Sequence, residues 1–163
     1  FDAKPAQRLS RLKDSALEKA MRASDPVPVA LSLIGDRWSS LILHAVFTGK
    51  QNFFAIQAEL QIASNVLASR LKKLVALALI APHPGSDRRR RDYLPTPRGR
   101  DAFPMLQTLA SWGDRWLAGA NGPPQILRHR SCGAILDPHY VCGHCEQSVR
   151  AQDVLPSRAA ARH

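Results

Sequence analysis

The strongest constraint on the fold is an apolar repeat between Ser64 and Ala78. Leucines and an alanine recur at helical spacing and therefore share one face: Leu67, Leu71, Leu74 and Ala78. Polar and cationic residues fall opposite them: Asn65, Ser69, Lys72 and Lys73. The pattern predicts an amphipathic helix with a polar, cationic outer face, and Ser64 is its expected N-cap.

Other helices are predicted from the same periodicity. They cover Pro5–Met21, Val29–Phe47, a short segment from Phe53 to Leu60, and Thr96 to about Gly119, with Thr96 as the cap and Pro97 in the first position. Gly35-Asp36 interrupts Val29–Phe47 as a helix end followed by a new N-cap would. We expect two short helices there, and one kinked helix is the alternative.

Two short apolar runs, Leu79–His83 and Arg91–Leu94, flank the loop Pro84–Arg90. Their pattern predicts a β-hairpin with a long basic tip. A short helix, a turn, a second helix and a basic hairpin together indicate a winged helix-turn-helix. Such a helix fits the major groove of B-DNA, and the hairpin can follow phosphates or enter the minor groove.

The charge of the chain is concentrated on these elements. The whole chain has a formal net charge of +10 at pH 7. Nine Lys and Arg residues against two Asp residues give +7 between Ser64 and Arg100. The balance favours a polyanionic partner, nucleic acid first and an anionic membrane second. No apolar run approaches the roughly 18 residues that span a bilayer, and Phe1–Arg8 is polar rather than signal-like, so we expect a folded, soluble, cytoplasmic protein without a membrane partner.

Several blocks of the sequence, in this order, resemble the HxlR family of bacterial winged-helix transcriptional regulators. The blocks are Leu33-Ile34-Gly35-Asp36-Arg37-Trp38, Gly49 and Phe53, Ile62 to Leu71, Tyr93-Leu94, Thr96 and Gly99. The resemblance covers about Pro26 to Leu117. It implies a homodimer whose terminal helices pair across a two-fold axis and whose two recognition helices address a palindromic operator.

The chain departs from the family pattern in three places. Asp25 stands where many members carry a cysteine, so sensing by that thiol is excluded. Pro95 lies where a strand residue is usual, and we expect the second wing strand to end early. Four consecutive arginines make the wing tip unusually basic, which predicts a strong phosphate contribution and a strong salt dependence of binding.

Ten residues are the expected DNA contacts: Ser64, Asn65, Ser69, Arg70, Lys72, Lys73, Arg88, Arg89, Arg90 and Arg91. Asn65 and Ser69 are expected at base edges, and Lys72 and Lys73 at phosphates. Arg70 lies on the flank of the helix, where a structural role is the alternative. For the set as a whole, the alternative is an ordinary solvated helix face and a flexible loop.

The expected dimer interface uses apolar residues of the first and last helices: Leu9, Leu12, Phe103, Leu106, Leu109 and Trp116. Trp38, Trp112 and Trp116 fall in the apolar patterns of helices, which favours core or interface positions. An effector pocket with aromatic walls is the alternative. Nothing in the sequence identifies an effector.

Near the C-terminus, four residues have the chemistry and spacing of metal ligands: His129, Cys132, Cys142 and Cys145. Two Cys/His pairs, each separated by two residues, suit one structural zinc ion, which would hold together a segment without a core of its own. His139 and His144 are rival ligands. A redox or metal-sensing role and a metal-free hairpin stay open as alternatives.

These patterns predict a mainly α (α+β) protein: a winged helix-turn-helix with a two-stranded wing, flanking dimerisation helices and a small Cys/His appendage. The expected divisions are a dimerisation helix over residues 1–24, the winged-helix domain over 25–120, a Cys/His module over 121–156 and a disordered tail over 157–163.

The expected function is sequence-specific regulation of transcription, as a repressor that needs no cofactor to bind DNA. The alternatives are a protein–protein adaptor and a nonspecific nucleic-acid binder. No arrangement of catalytic residues is evident, so we do not expect an enzyme.

Overall fold

The computed structural model describes residues 25–85, 90–119, 122 and 125–157. The chain divides into two compact units, Phe1–Phe103 and Pro104–His163. The predicted N-terminal helix with Leu9 and Leu12, the wing residues Arg88 and Arg89, and the tail beyond Ser157 lie outside the described residues. None of the helices in the described ranges is long and apolar enough to cross a bilayer.

The elements follow the predicted order and confirm a mainly helical fold with a two-stranded antiparallel wing. The described helices and strands are α1 (Pro26–Ile34), α2 (Arg37–Phe47), α3 (Phe53–Leu60), α4 (Ser64–Ala76), β1 (Ile80–Pro84), β2 (Arg91–Pro95), α5 (Pro97–Arg100), α6 (Phe103–Leu117) and a 3₁₀ turn at Ala151–Asp153.

Gly35 and Asp36 separate α1 from α2, so the prediction of two short helices is confirmed. The Gly35 amide donates to Leu31 O at 2.8 Å, which ends α1. A Cβ on Gly35 would lie 2.5 Å from that oxygen, so only glycine fits at this close approach. The Asp36 carboxylate then accepts the Ser39 amide at 3.0 Å and caps α2.

α4 packs its leucines into the core of the first unit. Leu67, Leu71 and Leu74 are buried. The other buried apolar side chains come from neighbouring elements and the segments that join them: Ile42, Leu43, Ala45, Val46, Ile56, Ile62, Leu77, Leu79 and Ile80. The predicted apolar face of α4 is therefore the face by which the helix is held.

Ser64 is the first residue of α4 and not its N-cap, contrary to the sequence-based prediction. Ala63 occupies the cap position without a side-chain hydrogen bond. The Ser64 hydroxyl instead accepts a hydrogen bond from Gln57 Nε2 at 2.7 Å, and the same amide nitrogen donates to Ile62 O at 3.3 Å. Gln57 thus fastens the turn between α3 and α4.

Asp36 also fixes α4 against the start of α2. Its carboxylate accepts the Ser39 hydroxyl at 2.6 Å and pairs with Lys73 Nζ at 2.9 Å and Arg70 Nε at 3.4 Å. Burial raises the pKa of Asp36, but hydrogen bonds from Ser39 and Lys73 outweigh it and lower the pKa from 3.8 to about 2. One carboxylate therefore serves both as a helix cap and as the acidic partner of two cations from α4.

β1 and β2 pair antiparallel with Ile80 opposite Pro95, so the prediction that Pro95 ends the second strand early is wrong. Tyr93, two residues before it, donates its amide away from β1 to Gln51 O at 2.7 Å. Strand alternation places the nitrogen of Pro95 on the same outer side. A proline in that position removes no hydrogen bond of the ladder.

The helix predicted from Thr96 to Gly119 is two helices, separated at Asp101 and Ala102. The predicted cap is present, since Thr96 Oγ1 accepts the Gly99 amide at 3.0 Å. Pro104 accounts for the break, because its ring would clash with the carbonyl of Arg100 in a continuous helix.

Residues 125–157 of the second unit form two short antiparallel bridges, Arg128 with Ile135 and Val141 with Ser148, followed by the 3₁₀ turn. No residue described between 125 and 157 is buried. This part of the unit has ordered backbone hydrogen bonds but no apolar core among its described residues.

Replacing Asp36 tests its double role. Asp36→Asn keeps a capping side chain but removes both ion pairs, so we expect the free energy of unfolding to fall by about 0.5–1 kcal/mol, a small value because the carboxylate is partly solvated. Asp36→Ala should lose about 1 kcal/mol more with the cap. Urea unfolding of the wild type and both variants measures these differences.

The contribution of Asp36 to the free energy of unfolding should depend on pH. The folded-state pKa of Asp36 lies below its unfolded value, so its contribution is complete above about pH 4 and is lost as the pH falls toward 2. The gap in unfolding free energy between wild type and Asp36→Asn should therefore close over that interval. A gap that is unchanged in acid would contradict the assignment.

Gly99→Ala tests the packing of the turn after the wing. A Cβ at this position would lie 1.9 Å from Leu79 O, so we expect the free energy of unfolding to fall by at least about 1–3 kcal/mol. Gly113→Ala in α6 is the matched control, since its Cβ meets no atom within 4 Å and alanine favours a helix. Equal effects of the two substitutions in thermal unfolding would refute the steric explanation.

Candidate nucleic-acid interface

The outer face of α4 is open to solvent along most of its length. Its exposed residues are Ser64, Asn65, Ala68, Ser69, Lys72 and Ala76. Asn65 Oδ1 accepts the Val66 amide at 2.9 Å, a local contact at the N-terminus of the helix. The face therefore presents small and polar groups near its beginning and a lysine further along, without a bulky side chain that would keep a binding partner away.

Arg70 and Lys73 do not lie on that open face. Both are half-buried and directed to Asp36, and Arg70 Nε is buried without a hydrogen bond. The prediction that grouped Lys73 with Asn65 and Ser69 is wrong about its position, because the carboxylate draws the lysine to the side of the helix that meets α2. For Arg70, the structural alternative fits the observed contact.

Hydrogen bonds from the segment before α3 join the helix-turn-helix to the wing. Asn52 caps α3 by accepting the Ala55 amide at 2.9 Å. The same residue forms a backbone bridge with Asp92 of β2, next to the bond from Tyr93 to Gln51. The spacing between α4 and the hairpin is therefore set by main-chain hydrogen bonds as well as by the core.

A groove runs between α4 and the hairpin. Lys72 lines it from α4 and Arg91 from β2. The rest of the lining is apolar or aromatic: Phe53, Ala68, Leu71, Val75, Pro82 and Tyr93. Both cationic residues are exposed. The groove thus carries a positive charge on each of two elements whose relative position is fixed.

The described base of the wing tip continues this positive surface. Arg90 and Arg91 are exposed. Arg100 turns to the hairpin instead, and its Nη1 donates to Pro95 O at 3.0 Å. Arg90 and Arg91 thus lie exposed at the base of the wing tip, and Arg100 stabilises the strand end.

α6 carries an exposed apolar stripe of four residues: Met105, Leu109, Trp112 and Trp116, which are 43%, 61%, 54% and 69% exposed. Their separations of four, three and four residues keep them on one face. Leu109 and Trp116 were expected at a dimer interface, whereas Met105 and Trp112 join them through the helix geometry.

The two other residues of α6 proposed for the interface have partners or burial within the chain. Phe103 packs edge-on against Phe47 with ring centroids 5.2 Å apart, and Leu106 is 6% exposed. Neither is free to form a large part of an interface.

In α2, Trp38 is half-buried below the Arg37 guanidinium, which lies 4.9 Å from the ring centroid.

The four metal-ligand candidates form two pairs. His129 Nδ1 lies 3.3 Å from Cys132 Sγ. Hydrogen bonds from the backbone at Cys145 and His144 lower the pKa of the Cys142 thiol. All three cysteines are free, and in the described part of the chain no three ligand-type side chains meet at one point. The sequence therefore identified the pairs, and their union in one site stays a prediction.

Comparison with known proteins agrees with this architecture. The model of the family described as HxlR-like helix-turn-helix matches residues 33–121. The HTH-type transcriptional regulator MT3179 of Mycobacterium tuberculosis is 41% identical over 128 residues, which are 78% of this chain and 81% of that protein.

Two solved structures of candidate transcription factors have the same fold. PA1607 superposes with a TM-score of 0.75 at 30% identity, covering 86% of this chain and 99% of its own. PA1374 of Pseudomonas aeruginosa superposes with a TM-score of 0.55 at 28% identity, covering 85% of this chain and 95% of its own.

The match with the family model takes in α2, the pair α3 and α4, the hairpin and α6, and it covers more than half of the chain. The matched range therefore includes α4 with its exposed polar face and the hairpin that lines the groove beside it. The chain therefore belongs to the HxlR-like helix-turn-helix family and is a transcriptional regulator with a DNA-binding helix-turn-helix domain.

Proposed function

We propose that this regulator binds a palindromic operator as a homodimer and represses the gene beside it. The observation that carries the proposal is the groove between α4 and β2, with Lys72 and Arg91 on its two sides. A protein that inserts a helix in the major groove and a hairpin in the adjacent minor groove must pass over the phosphate strand that separates them. The groove is the place for that strand.

In the proposed complex, the first turns of α4 read the bases. Asn65, Ala68 and Ser69 are exposed there and are small enough to let the helix approach the base edges closely. An Asn amide can bond both hydrogen-bonding positions of an adenine edge, and an Ala methyl can contact a thymine methyl. Ser69 supplies a hydroxyl that donates or accepts.

Lys72, Arg90 and Arg91 would neutralise phosphates, which positions the protein without selecting the sequence. Arg88 and Arg89, from the same run of arginines, are assigned the same role. We assign Arg70 and Lys73 an indirect role: their pairs with Asp36 set the angle of α4. The phosphate contacts proposed on α4 therefore reduce to Lys72.

The proposed dimer uses the exposed stripe of α6. A contiguous run of apolar side chains at spacings of four, three and four is typical of paired helices, and a monomer would leave it in water. Leu9 and Leu12 of the N-terminal segment are proposed to complete the interface. Two copies then present two α4 helices to half-sites about one helical turn, roughly 34 Å, apart.

Repression follows from occupancy, because a dimer spread over two turns of a promoter excludes the polymerase. DNA binding needs no cofactor in this proposal, and the protein acts on the chromosome in the cytoplasm. We propose no enzymatic activity. A protein–protein adaptor and a nonspecific nucleic-acid binder are the alternatives, and the exposed small polar groups on the first turns of α4 favour sequence-specific binding.

Base reading and phosphate contact are separable by mutation. Against a duplex selected from a random library and its shuffled counterpart, Asn65→Ala should weaken binding to the selected duplex by about 1–3 kcal/mol and leave the shuffled one unchanged. Lys72→Ala should weaken both duplexes and reduce the slope of log affinity against log salt by about one.

Arg150→Ala, which removes one exposed charge from the second unit, is the control for net charge. Fluorescence anisotropy titrations at several salt concentrations measure all of these constants. If Asn65→Ala weakened both duplexes equally, the assignment of base reading to α4 would fail. A wild type that binds both duplexes equally would indicate a nonspecific binder.

The dimer is tested by placing a charge on the α6 stripe. Leu109→Asp should give monomers with much weaker operator affinity, because burying an unpaired carboxylate between two helices is strongly unfavourable. Leu155→Asp, at a leucine that is 88% exposed outside the stripe, should leave the dimer intact. Sedimentation velocity reports the mass, and a dimeric Leu109→Asp protein would reject the interface.

A further inference from the structure

The second unit contains the same turn twice. In the first turn, Arg128–Ile135, the bridge closes a loop in which the His129 amide donates to Ala134 O at 2.9 Å and the Gly133 amide donates to His129 O at 2.8 Å. Gly133 adopts a left-handed conformation with φ of +71°.

The second turn, Val141–Ser148, repeats each of these contacts thirteen residues later. The Cys142 amide donates to Gln147 O at 2.8 Å and the Glu146 amide to Cys142 O at 2.8 Å. Glu146 takes the left-handed position with φ of +58°, although it is not glycine. The hydrogen bonds that flank the two turns correspond as well: the Leu136 amide donates to Leu127 O, and the Val149 amide donates to Tyr140 O.

The equivalence places the metal-ligand candidates in matching positions. His129 corresponds to Cys142, and Cys132 corresponds to Cys145, so each turn presents a pair of soft or borderline ligands from its first and fourth loop residues. Within the first turn the separation of His129 Nδ1 and Cys132 Sγ is 3.3 Å. Two such ligands on a tetrahedral zinc ion stand about 3.5 Å apart, given zinc bonds of about 2.0 and 2.3 Å. The first turn is therefore close to the geometry of half a zinc site.

The rival histidines have no such counterpart. Thirteen residues before His144 stands Ser131, and thirteen before His139 stands Ile126. Hydrogen bonding does not separate the histidines, because His139 Nδ1 lies 3.2 Å from Asp137 O and His129 Nδ1 lies 3.1 Å from Ser131 Oγ. The repeat thus distinguishes the four proposed ligands from His139 and His144. The spacing of residues in the sequence did not make that distinction.

The surroundings of the two turns indicate what the ligands are for. The residues described between 125 and 157 include no buried side chain, and Ile126, Ile135 and Tyr140 are all more than half exposed. A segment without a core needs a cross-link to hold defined turns together. A disulfide would join at most two of the three thiols and would leave His129 unused, whereas a tetrahedral metal uses all four groups.

We propose that the two turns are the two halves of one structural Zn²⁺ site, with His129, Cys132, Cys142 and Cys145 as its four ligands. No three ligand-type side chains meet at one point among the described residues, so in this proposal the ion brings the two turns together as it binds, with the thiols entering as thiolates. Four protein ligands leave no open coordination position, so the site is structural and not catalytic. This inference is independent of DNA binding and of the dimer.

Elemental analysis of the full chain, expressed with zinc and purified without chelator or metal-affinity resin, tests the site. We expect about one zinc ion per chain, lost in Cys132→Ser and in Cys142→Ser. His139→Gln and His144→Gln are the matched controls and should keep the ion. Far-ultraviolet circular dichroism of each variant checks that the helical unit remains folded.

A second measurement uses cobalt in place of zinc. The wild type should give the intense visible bands of tetrahedral Co²⁺ with thiolate ligands, and His129→Ala should change their position as one ligand is replaced by water. A zinc-free wild type, zinc that survives both serine substitutions, or a disulfide between two of the cysteines in place of the metal would overturn the proposal. Loss of zinc in His144→Gln with retention in His129→Ala would overturn the assignment of His129.

Discussion

One carboxylate, that of Asp36, joins the beginning of α2 to two successive turns of α4. Leu67, Leu71 and Leu74 hold α4 to the core, but an apolar face can slide or rotate by small amounts without a large loss of buried area. We propose that the Asp36 carboxylate at the beginning of α2 limits that freedom, because it pairs with Arg70 on one turn of α4 and with Lys73 on the next. In this proposal, directional polar contacts at the edge of the apolar interface select one of the orientations that the apolar contacts allow.

This arrangement explains why the helix uses its cations unequally. Three positive residues lie within four positions of α4, and only Lys72 is directed to the groove shared with the wing. Arg70 and Lys73 are instead paired with the Asp36 carboxylate. The surface field that attracts a polyanion is therefore smaller on α4 than its composition suggests, and the arginines of the hairpin supply a larger share of it.

The two units of the chain are stabilised by different means. The first has a continuous core of leucine and isoleucine, reinforced by helix caps at Asp36, Asn52 and Thr96. The second combines α6, whose exposed apolar stripe needs a partner, with two matching turns that have no core among their described residues. We propose that a second copy of the chain covers the stripe and that a zinc ion stabilises the two turns.

The sequence by itself determined the order of the elements, the break at Gly35-Asp36, the cap at Thr96 and the leucine face of α4. These features depend on residues a few positions apart, where helical and strand periodicity act. Only the tertiary structure decided that Lys73 and Arg70 turn to Asp36, more than thirty residues away, and that Pro95 can stay in a strand. It also decided that Phe103 packs on Phe47 while Met105 and Trp112 join the exposed stripe. The sequence showed two Cys/His pairs of equal spacing, but only the hydrogen bonds showed that the two turns share one backbone pattern, in which His129 and Cys142 occupy the same position. Local spacing fixes which face a side chain lies on, but the partner it meets there depends on how distant segments pack.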